Sequence, residues 1–192
     1  MREKQPRIIA LVGMPGSGKG TCTDYLHSTY GWPLVHFGSM VYEEVQRRGL
    51  DNVRDEAFVR EDMRAQEGKA VLAKHAARKA DTYSADGAQT IIFDGLYSWT
   101  ELQFLRETYG HNLLVIAVAT PRRTRYQRIL ARNDSHRKYT SEQQVMNRDI
   151  SEIENLEKGG PIAFADYTIV NDGELSEMTA KLSSILTAEH IL

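Results

Sequence analysis

Along the chain, short and wholly apolar runs alternate with longer stretches in which apolar residues recur every three or four positions. The apolar runs are typical of strands buried on both faces, and the longer stretches are typical of helices with one buried side. The runs that predict strands are residues 8–12, 34–36, 90–93, 113–119 and 167–170. Because helical stretches separate them and no hairpin signal joins them, the pattern predicts a parallel sheet covered on both faces.

Glycine marks several ends of the helical stretches. A stretch from about residue 55 to residue 81 contains Gly68, where a kink and a break fit the pattern equally well. Residues 140–143 resemble a capping box and predict a helix whose apolar side carries Met146, Ile150 and Ile153. The polar residues before that helix predict a loop that can fold over a neighbouring site.

The first predicted strand leads into a glycine-rich segment that opens a helix. Its sequence is Gly13-Met14-Pro15-Gly16-Ser17-Gly18-Lys19-Gly20-Thr21. Glycines let a backbone close around an anion with its N–H groups pointing inward, and the following helix presents its positive dipole end. Lys19 adds a full charge. The segment therefore predicts a phosphate-binding loop suited to a triphosphate, and an ordinary strand-to-helix turn is the alternative.

The loop departs from the usual pattern at the position that binds magnesium. Ser or Thr normally follows the lysine directly, whereas here Gly20 follows it and Thr21 comes one residue later. We therefore expect Mg²⁺ to be held by the nucleotide, by water and by a carboxylate from elsewhere. Asp94, at the end of the third strand, is the candidate, either holding Mg²⁺ through water or accepting a proton from the acceptor. Its alternative role is to cap the next helix.

The predicted strands also locate the site. The ends of the first, third and fifth strands carry Gly13, Asp94 and Asn171. Because parallel sheets bind ligands beyond the carboxyl ends of their strands, we expect the nucleotide at that edge.

Residues 122–138 contain seven basic residues and one acidic residue. Arg128 and Arg132 are four positions apart, so a helix would place both on one face, where their guanidinium groups suit phosphate oxygens. Arg148, beyond the polar loop, could complete this clamp. A solvated basic face is the alternative for the pair, and a salt bridge to Glu152 is the alternative for Arg148.

Composition narrows the class of protein. The 192 residues suffice for one well-buried core, and a net charge of −2 provides no general attraction to nucleic acid or membranes. The single cysteine, Cys22, excludes an internal disulfide and suits a reducing compartment. The longest apolar run, residues 113–119, is too short to span a bilayer. The histidine spacing indicates no zinc site. We therefore predict one soluble cytoplasmic domain.

Taken together, these residues resemble those of adenylate kinases and the wider nucleoside monophosphate kinase family, including dephospho-CoA kinase-like proteins, over nearly the whole chain. The loop at residues 13–21 is close to the adenylate kinase form. Further matches are Gly38-Ser39-Met40 for the family's Gly-Asp-Met, Asp94-Gly95 for its Asp-Gly, Arg128 and Arg132 for its arginine pair, Arg148 for the arginine beyond its lid, and residues 165–171 for a dephospho-CoA kinase-like fifth strand.

The resemblance implies the three-layer α/β/α fold of P-loop NTPases, with a five-stranded parallel sheet and a short lid. It implies one kinase domain over residues 1–192, with an acceptor-binding helical region at about 38–84 and a lid at about 133–140. ATP would be the donor with Mg²⁺, and residues near Asn171 and Gly173 would surround the adenine. Gly16, Ser17, Gly18 and the rest of the loop would hold its phosphates.

The departures from the family pattern lie on the acceptor side. Tyr42 stands where adenylate kinases have an arginine. Ser98 stands where they have a second arginine, and in relatives with a shorter spacing that second position falls on Tyr97. Two alternatives remain open. Arg47, Arg60 or Arg64 replaces the missing cations, or the acceptor presents no phosphate there. The predicted acceptor-binding residues are Gly38, Ser39, Tyr42, Arg64 and Tyr97. The two tyrosines could stack on a ring, with core packing as the alternative.

Three functions follow as hypotheses. The first is an ATP- and Mg²⁺-dependent small-molecule kinase, with a nucleotide as the favoured acceptor. The second is dephospho-CoA kinase-like transfer to a hydroxyl, which needs a base near the acceptor, although Ser39 occupies a position where an acid would help. The third is a nucleotide-binding regulator without catalysis. Nucleic acid and membrane partners are not expected, and the sequence predicts no oligomeric state.

Overall fold

The computed structural model describes residues 5–51, 54–132 and 139–192. Within those residues, the strands form one parallel sheet in the order β2-β3-β1-β4-β5. Their bounds are β1 Arg7–Val12, β2 Leu34–His36, β3 Thr90–Asp94, β4 Leu113–Ala119 and β5 Tyr167–Val170. Each lies within one residue of a predicted run, so the predicted five-stranded parallel sheet is confirmed.

The helices complete a three-layer α/β/α arrangement in the described part of the chain. They are α1 Lys19–Tyr30, α2 Phe37–Arg47, α3 Glu56–Glu67, α4 Val71–Ala85, α5 Trp99–Tyr109, α6 Arg122–Ala131, α7 Glu142–Glu154, α8 Gly159–Ala163 and α9 Leu175–Ala188. A single 3₁₀ turn, Gly110–Asn112, precedes β4. On one face of the sheet, Leu26 of α1 and Leu182 of α9 pack in one apolar cluster. On the other, α2, α4 and α5 contribute to a larger cluster.

β1 is the central strand because its apolar run is buried from both sides. Ile8 to Val12 are at most 1% exposed, and Ala10 lies opposite Phe93 of β3 and Val115 of β4. Alternate residues of the strand reach the two clusters, with Ala10 in one and Leu11 in the other. The loop after β1 therefore emerges from the middle of the sheet, between the ends of β3 and β4.

The structure decides between the two alternatives at Gly68 and corrects two predictions about α7. The stretch around Gly68 is a break and not a kink, since α3 ends one residue before this glycine, whose φ is +91°. The cap of α7 is shifted by one residue, because the Ser141 side chain accepts the N–H of Gln144. The buried side of α7 also differs in part from the prediction: Met146 packs against the cluster of Tyr126, Ile129 and Val145, but Ile150 and Ile153 are 43% and 50% exposed. The acidic residues Asp149 and Glu152 are buried on this helix. Arg125 of α6 neutralises the first, and Lys158, just before α8, neutralises the second.

The predicted lid lies mostly outside the described residues, at 133–138, and only Tyr139 and Thr140 of it are described. The predicted acceptor-binding region corresponds to α2, α3 and α4, and its role stays a prediction. In the described chain, no helix combines the length and apolarity needed to cross a bilayer.

Candidate active site

The glycine-rich loop has a backbone that other residues cannot readily adopt. Gly16 and Gly18 have φ values of +78° and +96°, in the left-handed region that favours glycine. A Cβ atom on Gly16 would lie 2.8 Å from the Arg125 carbonyl oxygen, and one on Gly18 would collide with the side-chain amide of Asn171. The glycines are therefore required both by the turn and by the elements packed behind it.

Polar groups from α6 and from the residues that follow β4 and β5 support the loop from behind. The Asn171 side-chain amide donates to the Ser17 carbonyl at 2.7 Å, and the Thr120 hydroxyl lies 2.9 Å from that same oxygen. The Arg125 guanidinium donates to the Pro15 carbonyl at 2.9 Å and forms a buried ion pair with Asp149 at 2.6 Å. These contacts satisfy the Pro15 and Ser17 carbonyl groups, so other elements of the fold support the loop shape from behind.

Two of these supporting residues, Thr120 and Arg125, were not predicted from the sequence. Thr120 follows β4 directly, and polarity at a strand end was a usable signal, as it was for Asp94. Arg125 lay within the basic run but could not be distinguished from its neighbours, because its partner Asp149 lies 24 residues away. Asn171 was selected for the adenine, and its side-chain amide is used to hold the loop.

Three side chains meet at the ends of β1, β2 and β3. The Lys19 ammonium group forms an ion pair with the Asp94 carboxylate, and His36 Nε2 lies 3.4 Å from the other oxygen of that carboxylate. The strand order β2-β3-β1 explains this meeting, because Asp94 ends the strand between the other two. The Ser39 N–H donates to His36 Nδ1, so the neutral ring carries its proton on Nε2, facing Asp94. Burial lowers the pKa of His36, and the nearby Asp94 opposes this shift.

These residues open into a cavity of about 680 Å³ at the carboxyl ends of the strands. The glycine-rich loop forms its base. We call the space next to the loop the donor half. We call the space beside α2, α3 and Tyr97 the acceptor half, whose walls include Tyr42, Gln46, Glu56 and Arg60. Both halves together are within the usual size range of small-molecule sites.

The cavity collects many of the predicted site residues. Those that line it are Gly13, Gly16, Ser17, Gly18, Lys19, Gly20, Gly38, Tyr42, Asp94, Tyr97, Arg132 and Arg148. Others lie elsewhere, namely Thr21, Ser39, Arg64, Arg128, Asn171 and Gly173. The helix ends at Ala131, so Arg128 and Arg132 do not share a helical face, contrary to the prediction.

Each residue outside the cavity has a local reason for its position. The Arg128 guanidinium lies behind the loop, 3.5 Å from both the Thr120 hydroxyl and the Asn171 carbonyl. Ser39 uses its hydroxyl to bond the His36 carbonyl at 2.8 Å. Arg64 is 7% exposed and lies 3.9 Å from Glu61. Thr21 and Gly173 are exposed, the first on α1 and the second beyond β5.

A three-residue charge cluster forms the wall beside α7. Glu152 binds Arg148 at 2.8 Å and Lys158 at 2.5 Å, and all three residues line the cavity. Burial alone would raise the pKa of Glu152, but Lys158 and Arg148 hold it below its ordinary value. Burial lowers the pKa of Lys158, and Glu152 opposes the shift. The Lys158 ammonium also lies 5.0 Å from the centre of the Tyr97 ring.

Lys158 was not identified from the sequence. It precedes Gly159 and Gly160 in a segment that was interpreted only as a helix end, and no periodic pattern distinguishes it. The alternative reading of Arg148, a salt bridge to Glu152, is confirmed. The structure adds that this ion pair faces the cavity.

The site offers suitable groups for a nucleotide with magnesium. Ser17 lines the cavity, and its side-chain oxygen is buried without a hydrogen-bond partner among the described residues, as expected beside an anion site. Asp94 is 5% exposed and presents the hard carboxylate oxygens that Mg²⁺ prefers. With Gly20 after Lys19, Asp94 is the protein group at the loop that fits a magnesium ion held mainly by phosphates and water.

The sheet order, the loop after the central strand and the cavity together define a P-loop kinase fold. Residues 12–146 match the family model AAA_17, described as an AAA domain. A UPF0200 protein of Thermococcus kodakarensis is 33% identical over 181 residues, which cover 93% of this chain and 96% of the relative. The chain belongs to the AAA_17 family and to the UPF0200 proteins. The resemblance to P-loop kinases is thereby confirmed.

Solved structures share the fold over nearly the whole chain. TT1252 from Thermus thermophilus superimposes with a TM-score of 0.64 at 22% identity, covering 96% of this chain and 98% of its own. Shikimate kinase from Bacteroides thetaiotaomicron superimposes with a TM-score of 0.58 at 13% identity, covering 94% and 97%. Identities this low show the fold alone, so the activity has to be argued from the site.

Proposed function

We propose that this protein is an ATP- and Mg²⁺-dependent phosphotransferase that acts on a nucleotide or a related small molecule. The observation that carries the proposal is that the anion-binding loop, Asp94, Arg132 and Arg148 all line one cavity. Phosphoryl transfer needs aligned phosphates and neutralised charge more than it needs covalent help from the protein. A cavity that joins a phosphate cradle to these cations is suited to that task.

Each group has a proposed role. The loop N–H groups and Lys19 hold the phosphates of ATP. Arg132 and Arg148 neutralise charge on the transferred group, since the cluster of Arg148, Lys158 and Glu152 has two cations for one carboxylate. Asp94 holds Mg²⁺ through water, and the ion, when bound, offsets charge on the phosphates. Arg128 supports the loop from behind. The adenine would lie towards the end of β5, near Asn171 and Gly173. A cytoplasmic location suits a protein that uses ATP.

The positions of His36 and Asp94 favour a second candidate, transfer to a hydroxyl group in the manner of dephospho-CoA kinase. That reaction needs a group that accepts the hydroxyl proton. The Asp94 carboxylate lines the cavity and has the His36 imidazole 3.4 Å away, so a proton acceptor is available although Ser39 is not one. A regulator that binds ATP without transfer is the third candidate, and the assay below distinguishes it.

The test is ADP formation from ATP and Mg²⁺ with purified protein and a panel of acceptors. The panel contains nucleoside monophosphates, nucleosides, sugars and dephospho-CoA, and each is compared with ATP alone. We expect at least one acceptor to raise the rate of ADP formation by about tenfold or more and to appear as a phosphorylated product. If ATP binds but no acceptor raises the rate, the kinase proposal is wrong and the regulator is supported.

A further inference from the structure

The acceptor half contains one arginine, Arg60, and carboxylates already bind it. Its Nη1 atom donates to Glu56 at 2.8 Å, and its Nε atom lies 3.5 Å from a Glu61 oxygen. Arg60 and Glu56 both line the cavity, whereas Glu61 does not. Glu56 therefore engages one N–H side of the guanidinium, and a phosphate dianion there would face a carboxylate beside the cation.

Neither of the other two candidate arginines supplies a replacement in the described chain. Arg47 makes two hydrogen bonds of 2.6 Å to Glu44, and its side chain is 72% exposed outside the cavity. Arg64 is buried near Glu61 and also outside the cavity. Neither Arg47 nor Arg64 therefore compensates for the two sequence departures.

Besides the Lys158–Glu152 ion pair next to Tyr97, the acceptor half offers neutral hydrogen-bonding groups. Tyr42 is 37% exposed, and Gln46 and Tyr97 line the same space. Phenol and amide groups both donate and accept hydrogen bonds, and the Arg60–Glu56 pair presents a donor beside an acceptor. A hydroxyl group can use both members of that pair at once. A tyrosine ring with an exposed face can also cover a flat base.

We propose that the acceptor presents uncharged hydroxyl groups to α2 and α3, as a nucleoside or a free sugar does, and that Glu56 excludes a phosphorylated acceptor. This inference rests on the proposed phosphotransferase function, and within it selects the hydroxyl acceptor of the second candidate over a nucleotide. In the reaction, the acceptor oxygen bonds to the γ-phosphorus of ATP while the bond to the β–γ bridging oxygen breaks. ADP leaves with that electron pair, and the hydroxyl proton passes to Asp94 and then to water.

The test measures acceptor binding with the donor half filled by a non-hydrolysable ATP analogue and Mg²⁺. Calorimetry compares four ribonucleosides and ribose, each with its own 5′-phosphate. For the wild-type chain we expect at least one neutral compound to bind at least about tenfold more tightly than its phosphate. In Glu56→Gln, which keeps the side-chain shape and removes the charge, we expect affinity for the phosphates to rise by about tenfold.

Glu61→Gln is the matched control, because it removes the other carboxylate near Arg60 from outside the cavity. We expect it to leave the preference unchanged. The inference is overturned if the wild-type chain prefers a phosphate, if it binds none of the neutral compounds, or if Glu56→Gln and Glu61→Gln behave alike. If the ATP analogue itself does not bind, the proposed function fails, and that result is distinct from an acceptor preference of the opposite kind.

Discussion

The donor and acceptor halves of the cavity recognise ligands in different ways. The donor half is built from backbone groups of one continuous loop, and its shape is maintained from behind by Asn171, Thr120 and Arg125. The acceptor half is built from side chains of α2, α3 and the segment after β3, and ion pairs decide its charge. Several elements of the fold therefore support the shape of the first half together, whereas one substitution can change the charge of the second.

This difference also explains why the sequence predicts the donor half more completely than the acceptor half. A backbone site needs glycines at fixed spacing, which leaves a local motif. A side-chain site needs only that charged residues on separate elements meet, and single residues such as Glu56 look like any exposed helical acid. The predictions below test the difference, beginning with the largest expected effect.

Replacing Lys19 should affect the donor half most strongly. Lys19→Ala removes the full charge from the loop, and we expect kcat to fall by about 10²-fold or more. Steady-state kinetics with the acceptor found in the panel measure the effect. Lys79→Ala is the control, since Lys79 forms a surface pair with Glu43 at 2.8 Å and its side chain is 41% exposed. Equal activity in the two variants would contradict the proposed role of the loop.

Glu101 should make the support of the acceptor half dependent on pH. This buried carboxylate accepts the N–H groups of Tyr97 and Ser98 at 2.9 and 3.0 Å, and burial raises its pKa to about 7 from 4.5. Between pH 4.5 and about pH 7, the folded state therefore binds more protons than the unfolded state. Its contribution to the free energy of unfolding should decrease by up to about 3 kcal/mol as pH rises through this range.

Denaturant unfolding between pH 4.5 and pH 7 measures this slope. Glu101→Gln removes the titration and should lose that component of the slope, while Glu107→Gln, an exposed change on the same helix, should follow the wild-type chain. A wild-type slope that persists in Glu101→Gln would show that Glu101 does not cause it.

Adding one methyl group to the loop should disturb the donor half without a charge change. Gly18→Ala strains a positive φ and collides with Asn171, so we expect affinity for an ATP analogue to fall by about tenfold, as measured by calorimetry. Gly49→Ala has a comparable φ of +68° but open space around its Cβ position, so it should lose some stability and no affinity.

The double variant Gly18→Ala/Asn171→Ala tests the collision itself. The second change removes the atom that the new methyl group meets. The loss of affinity in the double variant should therefore be smaller than the sum of the losses in the two single variants. Full additivity would mean that the collision does not set the loop geometry.

The strands and the loop were predictable because each depends on neighbours in the sequence. β1 and β4 are buried from both sides and carry unbroken apolar runs, and the loop carries its own glycines. α7 was the opposite case. Its inward residues are Val145, Asp149 and Glu152, and two of these are acids neutralised by basic residues on other elements. No periodicity of apolar residues can reveal a buried side that is formed by ion pairs.

The same distinction holds for the site: residues placed by the sheet and the loop were predictable, and residues placed by helix packing were not. Asp94 ends β3 and Lys19 opens α1 after the loop that follows β1, so the pairing of β1 with β3 brings the two residues together. Lys158 and Glu56 reach the cavity through the packing of α8 and α3, which sequence spacing does not specify. Arg128 was placed at the phosphates because a continuing helix would align it with Arg132, but the helix ends first.

The central claim is that the loop around Lys19 grips a triphosphate. Calorimetric titration of the purified protein with a non-hydrolysable ATP analogue and Mg²⁺ tests it most directly, with Lys19→Ala beside the wild-type chain. We expect one analogue to bind per chain and the variant to bind it at least about tenfold more weakly. No measurable binding to the wild-type chain, or equal affinity in both proteins, would contradict the claim.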